Sequence, residues 1–533
     1  MSTLSRENLF FIFILLAGAY LRLVNLATFQ PVVSDEGIYY QAAYVISRGY
    51  VPYKEIFLPS PPLYFITLGA VFRAIDTNVL IARGFNASLG VLTIFLIFYY
   101  SSKFFGKSAG LLASMIYSFY PEVIYSNKVG FIENYESVWV FLTICFYFVL
   151  KTNKKHKDAL LLGSIAVLGF LTKYTSIFFI IPFFIFAAID FYKNARKEFL
   201  KTMFYVFLGC LIVGLTTLVT IYVLGAFEHF YFDTFFLSVN RIMPVQPSTK
   251  HLFFNDYVSR SGLLFLLWIV VLILSMPLFI KRDSSVLVVN LSLATSFLLL
   301  YYLTPFIPHY PYFLYPVLSI SLTACLRELY LFIFKRKEAV GAKLARIETT
   351  VIMTLLVSSC YGVAYQLNPN ITVTPYKISQ DIFFNQIGLT YDEQMKIARG
   401  IQDYSNSSDK IFTTAAEYGF LARREIASSD RVYCAQGFFS DVFSYEYDRY
   451  REDGKILFTP ADVLYTLKKE QPKVILYIGW FPFATGVDKL LWYGFTAHGQ
   501  YYEGIASYVE GEYRLAERYH TSWGEALLYV RKK

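Results

Sequence analysis

A series of long apolar runs, separated by short clusters of lysine and arginine, limits what this chain can fold into. Leu9 to Leu26, Leu89 to Tyr100, Val138 to Leu150, Met203 to Leu224, Leu263 to Ile280, Val286 to Leu303, Tyr312 to Phe334 and Val351 to Leu367 are each bounded by charge or turn residues. Most approach the roughly 20 residues that cross a hydrocarbon core, and the shorter ones extend into flanking aromatics. The chain is 56% hydrophobic and only 16% charged, against about 25% charged in an ordinary soluble protein. The expectation is a polytopic α-helical membrane protein. A cleavable signal peptide at Leu9 to Leu26 is disfavoured, because Tyr20 and Arg22 stand where small residues would be needed and many further spans follow.

Basic residues in short loops mark the cytoplasmic side. They cluster at Lys103 and Lys107; at Lys151, Lys154, Lys155 and Lys157; at Lys193, Arg196, Lys197 and Lys201; at Lys281 and Arg282; and from Lys335 to Arg346. The intervening loops are acidic, aromatic or nearly uncharged, apart from isolated cations such as Lys128 and Lys173. The stretch Ala159 to Ile189 is too long for one untilted helix and is interrupted by Thr172-Lys173-Tyr174-Thr175, so it reads as two helices with Lys173 at their outer turn. About eleven spans follow, with the N-terminus inside and everything after Leu367 outside.

The net charge of +9 does not indicate nucleic-acid binding. From Asn370 onward there are 19 Lys and Arg against 21 Asp and Glu, so the excess lies in the membrane half, where it marks orientation. Cys145, Cys210, Cys325 and Cys360 fall in apolar runs and Cys434 has no outer-face partner in the sequence, so neither a disulfide framework nor zinc spacing is present. The sequons at Asn370 and Asn406 carry little weight, since such triplets are frequent by chance.

The chain divides near Asn368-Pro369-Asn370. Residues 1–367 form the expected membrane domain, with interfacial outer loops at 29–78 and 226–260. Residues 368–533 read as an extracytoplasmic α/β domain, with strands at Lys410 to Thr414 and Lys473 to Ile478 and a helix at Asp392 to Ser405. In the first outer loop Tyr39, Tyr40, Tyr44, Tyr50 and Tyr53 suit headgroup level, and Leu63 to Ile75 reads as an amphipathic helix. In the second, Phe227, Phe230, Tyr231, Phe232, Phe235 and Phe236 precede Asn240-Arg241. An aromatic belt is the simpler reading of any one of these rings.

Several pieces, in this order, resemble the GT-C polyprenyl-phosphate-sugar glycosyltransferases, in particular the branch of the protein O-mannosyltransferases and the lipid A aminoarabinose transferases. They are Ser34-Asp35-Glu36-Gly37-Ile38-Tyr39-Tyr40, the proline motif Leu58-Pro59-Ser60-Pro61-Pro62-Leu63-Tyr64, Ile132-Glu133-Asn134, Gly169-Phe170-Leu171-Thr172-Lys173, and His309-Tyr310-Pro311-Tyr312-Phe313-Leu314-Tyr315-Pro316. The resemblance covers roughly residues 8 to 330. It implies transfer of a hexose, mannose first, from a dolichyl- or undecaprenyl-phosphate carrier to an outer-face protein, glycan or lipid, with inversion by direct displacement.

Such chemistry needs a base for the acceptor hydroxyl and cations for the departing phosphate. Asp35 is the expected base, being ionised at neutral pH with an ordinary pKa of about 3.9. Glu36 is expected to orient the acceptor. Glu133 occupies the family's second acidic position, although carboxylates at a helix start also suit its dipole, the role expected for Glu136. Lys173 is the first candidate for the phosphate and Arg241 the second, since an arginine fork suits phosphate oxygens; Arg260 and His309 follow. Lysine snorkelling is the alternative for Lys173. Tyr39, Tyr53 and Tyr64 are expected to line the acceptor and lipid path. Ser60 stands where several relatives carry a lysine, so the cradle differs or borrows Lys54. No metal is expected to be obligatory, while a divalent cation shared by Asp35, Glu36 and Glu133 stays open. An oligosaccharyltransferase or ligase is the alternative enzyme, and a lipid flippase the alternative from another class.

Overall fold

The computed structural model describes residues 6–194, 196–236, 254, 267–276, 284–304, 309–334, 390–413, 415–428, 431–433, 460–478, 499–521 and 524–532. The chain forms two compact units that do not follow sequence order. One contains Met1–Val24, Gly84–Thr217 and Val245–Pro375; the other contains Asn25–Arg83, Leu218–Pro244 and Tyr376–Lys533. Most of the two segments expected as outer loops therefore falls in one unit with the distal chain.

Among the described residues five helices are long and apolar enough to cross a membrane: Val79–Phe105, Glu133–Asn153, Tyr174–Lys193, Arg196–Val223 and Ser285–Leu303. Some apolar runs thus become helices considerably longer than their apolar cores. Leu89 to Tyr100 lies inside α4 (Val79–Phe105), which follows α1 (Arg6–Leu23), α2 (Ser34–Ser47) and α3 (Leu63–Ala74). Short helices α5 (Lys107–Phe119) and α6 (Pro121–Lys128) lead into α7 (Glu133–Asn153). Proline at the first position of α6 suits it, because that N–H has no intrahelical partner. The run Val351 to Leu367 and most of Leu263 to Ile280 lie outside the described residues, apart from α12 at Leu267–Met276.

The break expected at Lys173 is present. Helix α8 (His156–Thr172) ends where Lys173 turns extended, a single 3-10 turn follows at Tyr174–Ser176, and α9 (Ile177–Asn194) resumes. The Lys173 carbonyl, at the broken helix end, accepts from Ser176 Oγ (2.9 Å) and from the Ser176 backbone N–H (3.3 Å). Chain order continues through α10 (Arg196–Val223), α11 (Phe227–Phe230), α12, α13 (Ser284–Leu303) and α14 (Tyr315–Phe334). Inside the first unit α7 packs on α8, α9 on α13, and α5 on α1 and α14. Polar groups cross-link these helices: Trp268 Nε1 donates to Asn290 Oδ1 (3.1 Å) and Ser321 Oγ (2.8 Å), and Tyr147 donates to Asp190 (2.7 Å), which also pairs with Lys151 (2.9 Å). Such bonds hold apolar helices together where lipid removes the hydrophobic driving force.

The second unit contains a five-stranded sheet in the order β3-β2-β5-β7-β6. Its strands are β2 (Lys410–Thr413), β3 (Glu425–Ile426), β5 (Val474–Ile478), β6 (Tyr513–Thr521) and β7 (Gly524–Arg531). Strand β2 pairs in parallel with β3 and β5, while β7 runs antiparallel to β5 and β6. Both β2 and β5 coincide closely with the stretches expected from sequence, as does α15 (Tyr391–Asp403), which begins with a Thr390–Glu393 capping box. Helices α16 (Ala416–Ala422), α17 (Pro460–Glu470) and α18 (Gly499–Glu512) complete the described part of this α/β fold. A separate parallel pair joins β1 (Ile56–Phe57) to β4 (Val432–Tyr433). The acidic pair, expected in a loop, instead occupies the first turn of α2.

Candidate functional site

Helix α2 presents three faces, because residues four apart lie on one side of a helix. Glu36 and Tyr40 share the first. Glu36 is fully buried and its oxygens accept from Arg83 Nε (2.9 Å) and Nη2 (2.8 Å), from the Tyr40 hydroxyl (2.9 Å), and from the Val33 backbone N–H (3.1 Å). Arg83 also donates to the carbonyls of Leu26 (3.3 Å), Ala27 (3.3 Å), Gln30 (3.0 Å) and Pro31 (3.1 Å). Glu36, expected to orient an acceptor, here anchors α2 and the chain leading into it. Arg83 was not among the sequence candidates. The signal that points to it is an arginine in the first turns of a long apolar helix, where a charge needs a partner.

The second face carries Gly37, Gln41 and Tyr44, and it meets α16. A Cβ on Gly37 would fall 2.6 Å from the Glu417 backbone nitrogen, so only glycine allows this approach. Gln41 Nε2 donates to the Arg424 carbonyl (3.0 Å) and the Tyr44 hydroxyl to the Arg423 carbonyl (2.9 Å). Glu417 itself is fully buried with neither carboxyl oxygen hydrogen-bonded, and burial pushes its pKa up to about 8.

The third face carries Asp35 and Tyr39. Asp35 is partly exposed in the first turn, where the helix dipole favours a carboxylate. Tyr39 stands edge-on to Tyr64 (6.0 Å between centroids) and to Phe65 (5.8 Å), so the expected lining residues Tyr39 and Tyr64 do meet. Tyr64 is fully buried. Tyr53 is 1% exposed, with its hydroxyl donating to the Ser60 carbonyl (2.8 Å), and it shapes the proline motif from within. Lys54 is exposed.

The first unit holds a separate cluster at the α8–α9 turn. Lys173 Nζ pairs with Glu133 Oε1 and lies 4.7 Å from the centre of the Tyr310 ring. His309 Nε2 is 3.5 Å from the same Glu133 oxygen, and its ring stacks on Phe131 at 4.7 Å. The structure therefore brings together Glu133, Lys173 and His309, which lie far apart in sequence. Glu133 Oε2 is buried without a hydrogen bond. Glu136, expected to serve the helix dipole, accepts from the Thr175 hydroxyl (2.7 Å) and ties α7 to the same turn. Arg241 and Arg260 lie outside the described residues. Among the described residues no three acidic, histidine or cysteine side chains gather to hold a metal ion.

This cluster can do specific chemistry. A largely buried ammonium bordered by a carboxylate, an imidazole and an aromatic face is a preformed cation of the kind that binding an anionic group requires.

Residues 59–223 match the family described as dolichyl-phosphate-mannose-protein mannosyltransferase. The fold is similar to that of ArnT from Cupriavidus metallidurans bound to undecaprenyl phosphate, at a TM-score of 0.61 and 12% identity over 98% of this chain and 97% of that one. The apo state of the same protein gives a TM-score of 0.62 at 12% identity, covering 99% and 98%. The Archaeoglobus fulgidus oligosaccharyltransferase in its apo form gives 0.55 at 12% identity, covering 88% of this chain and 69% of that one. No curated protein sequence matches the chain. Sequence match and fold point the same way, to a resemblance with the GT-C membrane glycosyltransferases. Among them, the chain resembles the branch of the protein mannosyltransferases and ArnT.

Proposed function

We propose that the chain moves a hexose, mannose first, from a polyprenyl- or dolichyl-phosphate carrier to a protein, glycan or lipid acceptor on the outer face of the cell membrane. The observation that carries this reading is Lys173, a largely buried cation at a helix break, held by Glu133 and flanked by His309 and Tyr310. Ionisable groups placed this way in membrane helices mark substrate paths by default. A lipid-phosphate donor suits a cation at that depth, and ArnT, with the similar fold, has been captured with undecaprenyl phosphate.

In this reading Lys173 exchanges Glu133 for the donor phosphate, and His309 supports the same charge. Asp35 accepts the proton of the acceptor hydroxyl as the sugar transfers with inversion. Glu36, locked by Arg83, keeps the α2 turn in place. The basic clusters orient the N-terminus inside and the distal α/β domain outside. Likeness to the archaeal oligosaccharyltransferase favours lipid-linked glycan as a second donor class.

The test uses purified protein with radiolabelled polyprenyl-phosphate hexose and an extract of outer-face acceptors. Asp35→Asn should lower transfer by about 10²–10⁴-fold, the usual contribution of a general base. Equal transfer by wild type and variant would remove Asp35 from the reaction. Lipid translocation without transfer would favour a flippase.

A further inference from the structure

A second buried ion pair in the outer unit joins three segments remote in sequence. Arg431, in the distal domain, donates from Nη1 and Nη2 to both oxygens of Asp233 (2.7 and 3.0 Å), which lies just after α11 in the second outer segment. The same Nη1 donates to the Tyr53 carbonyl at 2.9 Å, and Asp233 Oδ2 accepts from the Leu58 backbone N–H at 3.2 Å. Both side chains are nearly or fully buried, and the guanidinium lies over the Phe57 ring, 5.5 Å from its centre. Beside it, β1 pairs with β4 at Ile56↔Val432 and Phe57↔Tyr433, immediately after Arg431.

The loop held in this way is strained. Tyr53 has φ 65°, a left-handed backbone that a bulky residue adopts only where its surroundings fix it. Here its carbonyl is fixed by Arg431, its hydroxyl by Ser60, and its ring by an edge-on contact with Phe230, 5.0 Å away and one helical turn before Asp233. Tyr53 is thus held in part by the ion pair and in part by the proline motif beside it.

We propose that Arg431 is a positioning residue: through Asp233 and the Tyr53 carbonyl, the distal domain sets the shape of the loop 53–58 and of the adjoining proline motif, the wall presented to the acceptor. The inference rests on reading this face as the acceptor side of the transferase. Burial as such would account for the pair if it served stability alone. A positioning role makes a different demand, because the pair fixes two backbone groups, the Tyr53 carbonyl through Arg431 and the Leu58 N–H through Asp233, that no apolar replacement can hold. Consistent with a demanding site, burial raises the Asp233 pKa to about 6 despite its arginine partner.

The experiment compares full-length wild type, Arg431→Met, and Arg431→Met/Asp233→Leu in lipid nanodiscs. It reads hydrogen exchange of amides 53–60, thermal unfolding, polyprenyl-phosphate binding, and kcat and KM for the acceptor. Arg431→Met should speed exchange across 53–60 and lower acceptor kcat/KM at least tenfold, with binding of the lipid phosphate unchanged. The double variant, which leaves no unpaired buried charge, should recover thermal stability but neither the exchange protection nor the transfer. Wild-type exchange in Arg431→Met, or full recovery of transfer in the double variant, would overturn the proposal. Absence of sugar transfer by wild type would count against the transferase reading alone, since the exchange at 53–60 still decides whether Arg431 fixes the loop.

Discussion

Replacing Arg83 by methionine isolates what holds the acidic turn of α2. The substitution keeps the length and apolar stem of the side chain but removes the guanidinium. Glu36 would then keep the Tyr40 hydroxyl and the Val33 N–H but lose the guanidinium, leaving a fully buried carboxylate without this cation, and the carbonyls of Leu26, Ala27, Gln30 and Pro31 would each lose a donor. Removing one partner of a buried pair costs about 3–5 kcal/mol. Because tenfold in an equilibrium corresponds to about 1.4 kcal/mol, local opening of α2 should become roughly 10²–10⁴ times more populated. Hydrogen exchange of residues 34–47, followed by mass spectrometry in detergent micelles, reads this directly. Arg83→Met/Glu36→Met should recover much of the protection, since a well-packed apolar pair often equals a buried ion pair in stability. Exchange in Arg83→Met within tenfold of wild type, or a double variant no better than the single, would refute the reasoning.

Other expectations concern the neighbouring groups. Lys173→Ala should reduce sugar transfer by about 10²–10³-fold if the ammonium stabilises phosphate charge; activity within threefold of wild type would assign it to snorkelling. Glu417 is held protonated by burial, with a pKa of about 8 against an ordinary 4.5. Its stabilising contribution is therefore complete below pH 4.5 and is lost as pH rises through about 8, by at most about 5 kcal/mol. Thermal unfolding at pH 5 and pH 9 should show this loss in wild type and not in Glu417→Gln, and coincident pH profiles would contradict it. Gly37→Ala should lower the melting temperature, since the added Cβ meets the Glu417 backbone; overpacking of this kind costs about 1–3 kcal/mol. An unchanged melting temperature would show that α2 and α16 can separate freely.

The break at Lys173 was legible in the sequence because a lysine between β-branched and aromatic residues interrupts an apolar run too long for one helix. Strands β2 and β5 were legible as apolar stretches bounded by charge and turns. Glu133 and His309 could be named through family order, but not as partners of one lysine. Arg83 carried only the faint signal of a charge in an apolar helix. Glu417 and Arg431 carried none, because an isolated charge in a polar domain looks like any surface residue until packing buries it.

By itself the sequence determined that this is a multi-pass helical membrane protein and which charges deserve notice. Hydrophobic run length and charge placement are local properties, and the bilayer reads them locally. Only the tertiary structure decided how those charges are used. It split adjacent Asp35 and Glu36 onto different faces of α2, leaving one partly exposed and sealing the other against Arg83, because a step of about 100° per residue sends neighbours to different surroundings. It also joined Arg431 to Asp233 across nearly 200 positions, a pairing set by packing and not by proximity along the chain.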